Sequence, residues 1–293
     1  MSDSTELAIS TTGVVAAPES GSDDRLIEIW LHGRSPHTQR AYAADVARLR
    51  AHTGKPLAAV TLADLQSFAD AVAGLAPASR YRALSAVKSL VAFGHRLGYL
   101  PFDVGGTLRL PTVRGRLAER ILPEAGVHRM LSLEPNERNR AIVTLLYASG
   151  VRVSELCGLR WRDMQASGDS AQITVFGKGG KTRAIRLPAT VGQQLARLRG
   201  DASGDVPVFR SRKRGGALQS VAVLRIVRQA AKRAGIDLAV SPHWLRHAHA
   251  SHALDRGAPI HLVQATLGHA SVVTTGRYLH ARPSDSSSRF LGL

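Results

Sequence analysis

Residues 241–252 of this 293-residue chain read SPHWLRHAHASH. Ser241 is of a type that caps helices and Pro242 suits the first helical position, so a helix is predicted to begin here. His243 and Arg246 are three positions apart and therefore share one face near the helix N-terminus. An imidazole, a guanidinium and the free backbone N–H groups of a helix start together form a good phosphate-binding site.

A metal site is the alternative interpretation of the same stretch. His243 and His247 are four positions apart on the predicted helix, a spacing that suits zinc. No Glu occupies the position between them that a zinc-protease motif requires, and no third ligand is evident. We therefore favour a phosphate and predict no metal. His247, His249 and His252 are interpreted as packing or surface histidines.

Further along the chain, residues 267–278 read LGHASVVTTGRY. Gly268 is predicted to end a helix, His269 follows in the turn, and Ser271 caps the next helix, near whose end Tyr278 falls. A lone tyrosine in such a place is usually a packed amphipathic side chain. It could attack phosphorus only if its proton is removed or nearby cations stabilise its phenolate.

Earlier in the chain, Arg152 follows the helix break at Gly150 and begins a short helix predicted at about 153–159. A guanidinium is unfavourable at a helix N-terminus unless an anion binds there. Glu155, three positions on, shares the face of Arg152 and could orient it. A surface ion pair explains the same spacing, so the two interpretations stay open here.

Residues 172–187 change from helical spacing to alternation of apolar and polar residues around a turn at 177–181, which predicts a β-hairpin. Lys178 lies at its glycine-rich tip, from which a side chain can reach into a groove. The turn is not a nucleotide-binding P-loop, because the Gly-x-x-x-x-Gly-Lys-Ser/Thr pattern is absent and a strand follows.

Helical spacing accounts for most of the remaining chain, so the predicted fold class is mainly α with a small β-hairpin or sheet (α+β). The predicted helices cover 35–54, 61–72, 77–98, 123–132, 136–148, 153–159, 189–199, 219–234, 242–255, 259–267 and 272–278. The predicted organisation is a disordered acidic tail (1–24), a helical domain (25–110), a linker (111–120), a second domain (121–282) and a C-terminal tail (283–293).

The charge balance points to a polyanionic partner. The chain has 39 Lys and Arg against 22 Asp and Glu, a net charge of +17. This favours nucleic acid, although a basic surface kept for solubility would give the same balance. Five basic residues of the helical domain and the linker are predicted to contact DNA: Arg80, Arg82, Lys88, Arg114 and Arg116.

Composition also excludes several classes. The single cysteine, Cys157, excludes an intramolecular disulfide framework. No apolar run approaches the length of a membrane span, and residues 1–24 have neither a basic nor a long apolar segment typical of a signal peptide. We therefore expect a cytoplasmic, nucleoid-associated protein with no membrane association.

Taken in order, Arg152, Lys178, His243-x-x-Arg246, Leu-Gly-His269 and Tyr278 resemble the tyrosine recombinase (phage integrase) family, and within it the Xer-like branch. The resemblance covers about residues 25–282. It implies an N-terminal helical core-binding domain that contacts DNA and a C-terminal catalytic domain. It also implies a site-specific recombinase that cuts and rejoins duplex DNA through a 3′-phosphotyrosyl intermediate, without ATP, metal or another cofactor.

The resemblance implies a role for each residue of the set. Tyr278 attacks the scissile phosphate, Arg152 and Arg246 hold its oxygens, and Lys178 protonates the leaving 5′-oxygen. His243 hydrogen-bonds the phosphate or assists proton transfer from Tyr278, His269 donates to the phosphate, and Glu155 orients Arg152. Strand exchange then requires four protomers on two recombination sites, either a homo-tetramer or a hetero-tetramer with a second recombinase.

Two other functions fit part of the pattern. A catalytically silent DNA-binding or accessory protein of the same fold explains the charge but not a complete set of reactive residues. An enzyme similar to type IB topoisomerases would use the same chemistry without joining two sites. The tail residues Phe290, Leu291 and Leu293 are apolar. By analogy with the family they dock on a neighbouring protomer, although a frayed terminus or a tail folded back on its own domain is equally compatible.

Overall fold

The computed structural model describes residues 22–112, 117–167, 170–177, 182–211 and 215–279. The chain divides into two compact units, one ending at Arg114 and the other beginning at Gly115. This division falls inside the segment 111–120 that the sequence predicts as a linker. Within that segment, Ala118–Arg120 form a single turn of 3₁₀ helix.

The described part of the first unit is helical. Its α-helices are α1 (Ser22–Leu31), α2 (Pro36–Thr53), α3 (Leu62–Ala71) and α4 (Pro77–Arg96). The predicted starts of α2 and α3 are confirmed by their caps. The Ser35 hydroxyl accepts the Thr38 N–H at 3.3 Å, and Thr61 forms a capping box with Asp64. Apolar residues from all four helices fill one core, including Trp30, Leu49, Phe68 and Leu90.

Helix α1 is not predicted from the sequence. It includes Ser22, Asp23 and Asp24, which the sequence analysis assigns to the acidic tail. The Asp23 carboxylate accepts the Leu57 N–H at 2.9 Å and the Tyr99 hydroxyl at 2.6 Å. Acidic residues also stabilise the first turn of a helix. These three residues therefore belong to the folded unit; the rest of the predicted tail lies outside the described residues.

The second unit combines helices with one small sheet. Its described α-helices are α5 (Glu124–Ser132), α6 (Glu137–Ser149), α7 (Val153–Gly158), α8 (Ala189–Arg199), α9 (Ser220–Arg233), α10 (Pro242–Asp255), α11 (Ile260–Leu267) and α12 (Val272–Gly276). The predicted helices of this region are thus confirmed to within a few residues. Helix α6 packs against α10, and Ile142, Leu146 and Leu245 lie in the shared core.

The sheet has three antiparallel strands in the order β1 (Met164–Ser167), β2 (Ser170–Phe176) and β3 (Thr182–Leu187). Strands β2 and β3 form the predicted hairpin, with Ile173 opposite Ile185. Strand β1 was not predicted, because four residues are too few to show alternation. Ile173 and Ile185 are buried in the core, so the sheet is fixed in place.

Candidate active site

Helix α10 supplies His243, Arg246 and His247 to the candidate site. Pro242 occupies its first turn, as predicted. Ser241 has the extended backbone of a capping residue, but its hydroxyl makes no capping hydrogen bond with the described residues. The backbone alone closes the turn, with the Trp244 N–H donating to the Ser241 carbonyl at 2.9 Å.

Arg246 is the most enclosed cation of the site, with 4% of its surface exposed. Its guanidinium donates to the Gly150 carbonyl and, at 2.7 Å, to the Leu267 carbonyl. Burial, reinforced by the nearby charge of Arg152, lowers the pKa of Arg246 to about 10, so the group is still charged at neutral pH. Arg246 therefore joins the end of α6 to the end of α11 and holds a positive charge within the site.

The carbonyl that Arg246 binds belongs to a residue that must be glycine. Gly150 ends α6 with φ +60°, in the left-handed region. A Cβ atom there would come within 2.7 Å of the Leu267 side chain and 2.8 Å of His249. Glycine thus permits both the turn and the close approach of α10 and α11 to it.

Glu155 is buried beneath two arginines. Its carboxylate accepts the Arg152 backbone N–H at 2.7 Å and the Arg152 guanidinium at 3.0 Å, so the predicted pair exists. It also accepts two hydrogen bonds from Arg183, at 2.9 and 2.8 Å. Burial on its own raises the pKa of Glu155, but the bonds from Arg183 and Arg152 outweigh it and bring that pKa to about 2.

The sequence analysis missed Arg183. It lies on β3 on the same face as the buried Ile185 and Leu187, where an inward-facing charge on an apolar face was the available signal. Its Nε atom donates to the Thr266 carbonyl at 2.7 Å. Arg183 therefore connects the sheet, the carboxylate of Glu155 and the end of α11.

Tyr278 follows α12 and is 5% exposed. Its hydroxyl lies 2.8 Å from Nδ1 of His247, and the His269 ring stacks against its own ring, with 6.4 Å between centroids and 4° between planes. Burial raises the pKa of Tyr278, with the charge of Arg246 opposing, so the hydroxyl is protonated at neutral pH. His247, which the sequence analysis treated as a packing residue, thus contacts the predicted nucleophile.

The two histidines predicted to act on the phosphate are uncharged donors or acceptors at neutral pH. Burial, then the charges of Arg246 and Arg152, lower the pKa of His243, and the same causes bring the pKa of His269 to about 4. Nδ1 of His269 lies 2.9 Å from the Thr275 hydroxyl, which orients the ring. The predicted cap at Ser271 is present, since its hydroxyl accepts the Val273 N–H at 3.3 Å.

A cleft of about 510 Å³ opens beside these residues. Arg152, Arg183 and His269 line it, together with Gly177 and Thr182, which flank the turn between β2 and β3. Lys178 belongs to that turn and lies outside the described residues, so its predicted role stays a prediction. The cleft is therefore bordered by cations and by the base of the hairpin that carries a further lysine.

The basic residues predicted to contact DNA in the first unit are held within the fold. Arg80 donates to the Ala69 carbonyl at 3.3 Å, and Arg82 forms two bonds, at 2.9 and 3.1 Å, with the fully buried Asp45. Lys88 donates to the carbonyls of Gly106 and Leu108. Their DNA contacts stay predictions; Arg114 and Arg116 lie outside the described residues.

The described part of the chain contains neither a candidate metal cluster nor a candidate membrane span. Among those residues, no group of three or more His, Cys, Asp or Glu side chains is arranged to hold a metal ion. Within the same ranges, no helix has the length and apolar character needed to cross a bilayer.

Both parts of the chain match models of known protein families. Residues 120–285 match the model of the phage integrase family, and residues 27–98 match the phage integrase N-terminal SAM-like domain. The chain belongs to the phage integrase family. The Xer-like tyrosine recombinase identified from the sequence is confirmed, and with it the activity of a site-specific recombinase that cuts and rejoins DNA.

Relatives cover most of this recombinase. The tyrosine recombinase XerC of Xanthomonas campestris is 36% identical over 258 residues, which span 84% of this chain and 79% of that one. The tyrosine recombinase XerD of Mycobacterium tuberculosis is 35% identical over 265 residues, 83% of this chain and 82% of that one. Both similarities run through the two units.

Solved structures show the same fold. A lambda integrase dimer bound to a COC′ core site aligns over 90% of this chain and 77% of that one with a TM-score of 0.72 and 19% identity. The XerH recombinase bound to its difH substrate aligns over 92% of this chain and 83% of that one with a TM-score of 0.71 and 21% identity. The predicted fold class, mainly helical with a small sheet, is confirmed.

Proposed function

We propose that Tyr278 is the nucleophile of this recombinase and forms a 3′-phosphotyrosyl bond with duplex DNA. The observation that carries this proposal is the position of its hydroxyl, enclosed with His247, His269 and the charged Arg246 beside a cleft lined by Arg152. A tyrosine buried among uncharged and cationic groups can lose its proton, because the cations stabilise the phenolate that forms. The phosphoester energy is kept in the covalent bond, so resealing the strand requires no nucleotide.

The surrounding residues divide the remaining tasks. Arg152 and Arg246 hold the nonbridging oxygens of the scissile phosphate and stabilise the charge of the pentacoordinate state. Lys178 protonates the departing 5′-oxygen. His243 and His269 hydrogen-bond the phosphate, and Glu155 orients Arg152 through the bonds described above. Arg246 is fixed by two carbonyls before DNA arrives, which is the preorganisation that such stabilisation requires.

We further propose that four protomers act together on two double-stranded recombination sites. A solved lambda integrase structure of the same fold is a tetramer bound to a Holliday junction. Relatives named XerC and XerD both resemble this chain. The tetramer therefore contains either four copies of this chain or two copies of it and two of a second recombinase. The predicted contacts at Arg80, Arg82, Lys88, Arg114 and Arg116 hold the duplex, and the tail 283–293 docks between protomers.

The location follows from the substrate. We propose that the enzyme acts on DNA recombination sites in the nucleoid, within the cytoplasm. The strongly basic balance of the chain supports this location, because a net charge of +17 favours association with a polyanion.

Covalent trapping tests the proposal. The protein is incubated with nicked duplexes drawn from its own genomic neighbourhood, alone and with candidate partner recombinases, and the products are separated on denaturing gels. We expect a protease-sensitive protein–DNA adduct that Tyr278→Phe abolishes. Arg152→Ala should bind DNA but form the adduct about 10²–10³-fold more slowly, since one preorganised donor contributes that much. An adduct that persists in Tyr278→Phe, or normal cleavage by Arg152→Ala, would contradict these assignments.

A further inference from the structure

Among the described residues, His247 is the side chain whose polar atom lies within hydrogen-bond distance of the Tyr278 hydroxyl, at 2.8 Å. The ring is held from two sides: its centroid lies 6.2 Å from that of His243 and 5.7 Å from that of Tyr278. Its neighbour Arg246 is fixed to two carbonyls, so α10 presents His247 at a defined position. The contact therefore has the geometry that proton transfer requires.

Protonation states give this hydrogen bond a direction. Burial raises the pKa of Tyr278, so its hydroxyl carries the proton. Burial, with electrostatic contributions from His243 and Arg246, lowers the pKa of His247 to about 4, so the imidazole is neutral at pH 7. A neutral imidazole has one nitrogen without a proton. A donating Tyr278 hydroxyl places that bare nitrogen at Nδ1, where it accepts.

The charges around His247 show what a bound phosphate changes. His243 and Arg246 face it from α10, His269 from the turn after α11, Tyr278 from the segment after α12, and Arg120 from the 3₁₀ turn at 118–120. The cationic groups disfavour a proton on His247. A scissile phosphate adds negative charge to the same site and counters them. Binding of DNA therefore makes His247 a better base at the moment when Tyr278 must lose its proton.

We propose that His247 accepts the proton of Tyr278 during strand cleavage. As the bond between Tyr278 Oη and phosphorus forms, the hydroxyl proton moves to Nδ1 of His247. The bond between phosphorus and the 5′-oxygen breaks, and that oxygen takes its proton from the general acid assigned to Lys178. Rejoining reverses each step, so His247 returns the proton to the departing Tyr278 oxygen. This role rests on the proposed function of Tyr278 and leaves phosphate binding to His243.

The test separates proton transfer from positioning. Adduct formation is measured in single turnover on a suicide duplex whose 5′-bridging oxygen is replaced by sulfur, because the thiolate leaves without a proton and removes Lys178 from the pH profile. His247→Ala removes the ring, and His247→Gln keeps a hydrogen-bond acceptor that cannot take the proton. His261→Gln, an exposed histidine on α11, is the control. DNA binding by anisotropy and melting temperature are recorded for each protein.

We expect both His247 variants to bind DNA normally and to form the adduct about 10²-fold more slowly at pH 7, the lower end of the effect of general base catalysis. The difference in rate between these variants and wild type should become smaller as the pH rises to 9.5, because hydroxide then removes the proton of Tyr278. Replacing Tyr278 by a difluorotyrosine of lower pKa should reduce the same difference in rate.

Three results would overturn the proposal. The first is a His247→Gln rate within threefold of wild type, since an acceptor that cannot be protonated would then suffice. The second is a difference in rate between the His247 variants and wild type that is constant with pH and unaffected by difluorotyrosine. The third is a full rate in His247→Ala. Absence of any adduct from the wild-type protein would instead contradict the proposed chemistry of Tyr278, and this role with it.

Discussion

The carboxylate of Glu155 balances the positive charges of two guanidiniums, those of Arg152 and Arg183, which differ in their position in the site. Arg152 is about one-third exposed at the cleft, whereas the Arg183 side chain is 13% exposed and tied to α11. Without Glu155, the two positive charges would face each other next to the charge of Arg246. A buried carboxylate that accepts four hydrogen bonds is therefore the residue that lets a cationic pocket exist before phosphate arrives.

Replacement of Glu155 by Gln should destabilise the protein by about 2 kcal/mol at neutral pH, because hydrogen bonds to a charged group are lost. The low pKa of Glu155, about 2 against 4.5 for an ordinary Glu, means that its contribution is complete above pH 4.5 and disappears as the pH falls towards 2. Urea unfolding of wild type and Glu155→Gln from pH 6 to pH 2.5 measures the free energy of unfolding of each protein across this range.

The difference in unfolding free energy between the two proteins should therefore narrow in acid. Glu137→Gln, at an exposed position in the first turn of α6, controls for the loss of one carboxylate from the same unit. A difference between wild type and Glu155→Gln that stays constant over this pH range would show that the ionised carboxylate is not what stabilises the pocket.

The residue scale also shows which contacts a sequence can predict. The pairing of Arg152 with Glu155 follows from a spacing of three on one helix and was predicted. The contact between His247 and Tyr278 joins residues 31 positions apart, and that between Arg183 and Glu155 joins residues 28 apart. Such contacts depend on how helices and strands pack, which spacing does not encode, so His247 was interpreted as packing and Arg183 was missed.

At the scale of elements, the site is assembled where α6, α7, α10 and α11 meet around Gly150. Gly150→Ala forces a Cβ atom into φ +60° and against Leu267 and His249. We expect a loss of about 2–3 kcal/mol from strain and overpacking. The Gly150 carbonyl that holds Arg246 would shift, so adduct formation should slow as well.

Gly235 provides the matched control for this substitution. It has φ +69° in the same unit, but a Cβ atom there would meet no atom within 4 Å. Gly235→Ala should therefore cost only the backbone strain, about 1 kcal/mol, and leave the rate of adduct formation unchanged. Equal effects of the two substitutions on stability and rate would disprove the role given to the crowded turn at Gly150.

Elements were predicted where the sequence carries a local signal and missed where it does not. Ser35, Thr61 and Pro242 mark helix starts that the structure confirms. Strand β1 has four residues and exists through its pairing with β2. Helix α1 is fixed by contacts of its acidic first turn with Leu57 and Tyr99, far away in the sequence. Both depend on tertiary partners that no local window contains.

At the scale of the whole molecule, both units are basic, while Arg82 in the first unit and Arg246 in the second are already paired or bonded within the fold. The Arg82 guanidinium is satisfied by Asp45, and Arg246 by two carbonyls. Neutralised side chains release few counterions when a duplex binds, since the phosphate must compete with the existing partner. The salt dependence of DNA binding should therefore come mainly from cations outside these internal pairs, and the linker arginines are the predicted ones.

The double substitution of Arg114 and Arg116 by Ala tests whether these two linker arginines contribute to the salt dependence of DNA binding. If each arginine neutralises one phosphate, the slope of log K against log salt concentration should become shallower by about 1.8, and affinity should fall equally for specific and unrelated duplexes. The double Lys variant keeps both charges and should retain the wild-type slope. Anisotropy titrations from 50 to 300 mM salt give each slope. A slope unchanged in the Ala variant would exclude the linker from the phosphate contacts, whereas a slope reduced equally in the Lys variant would mean that arginine geometry, and not charge, makes the contact.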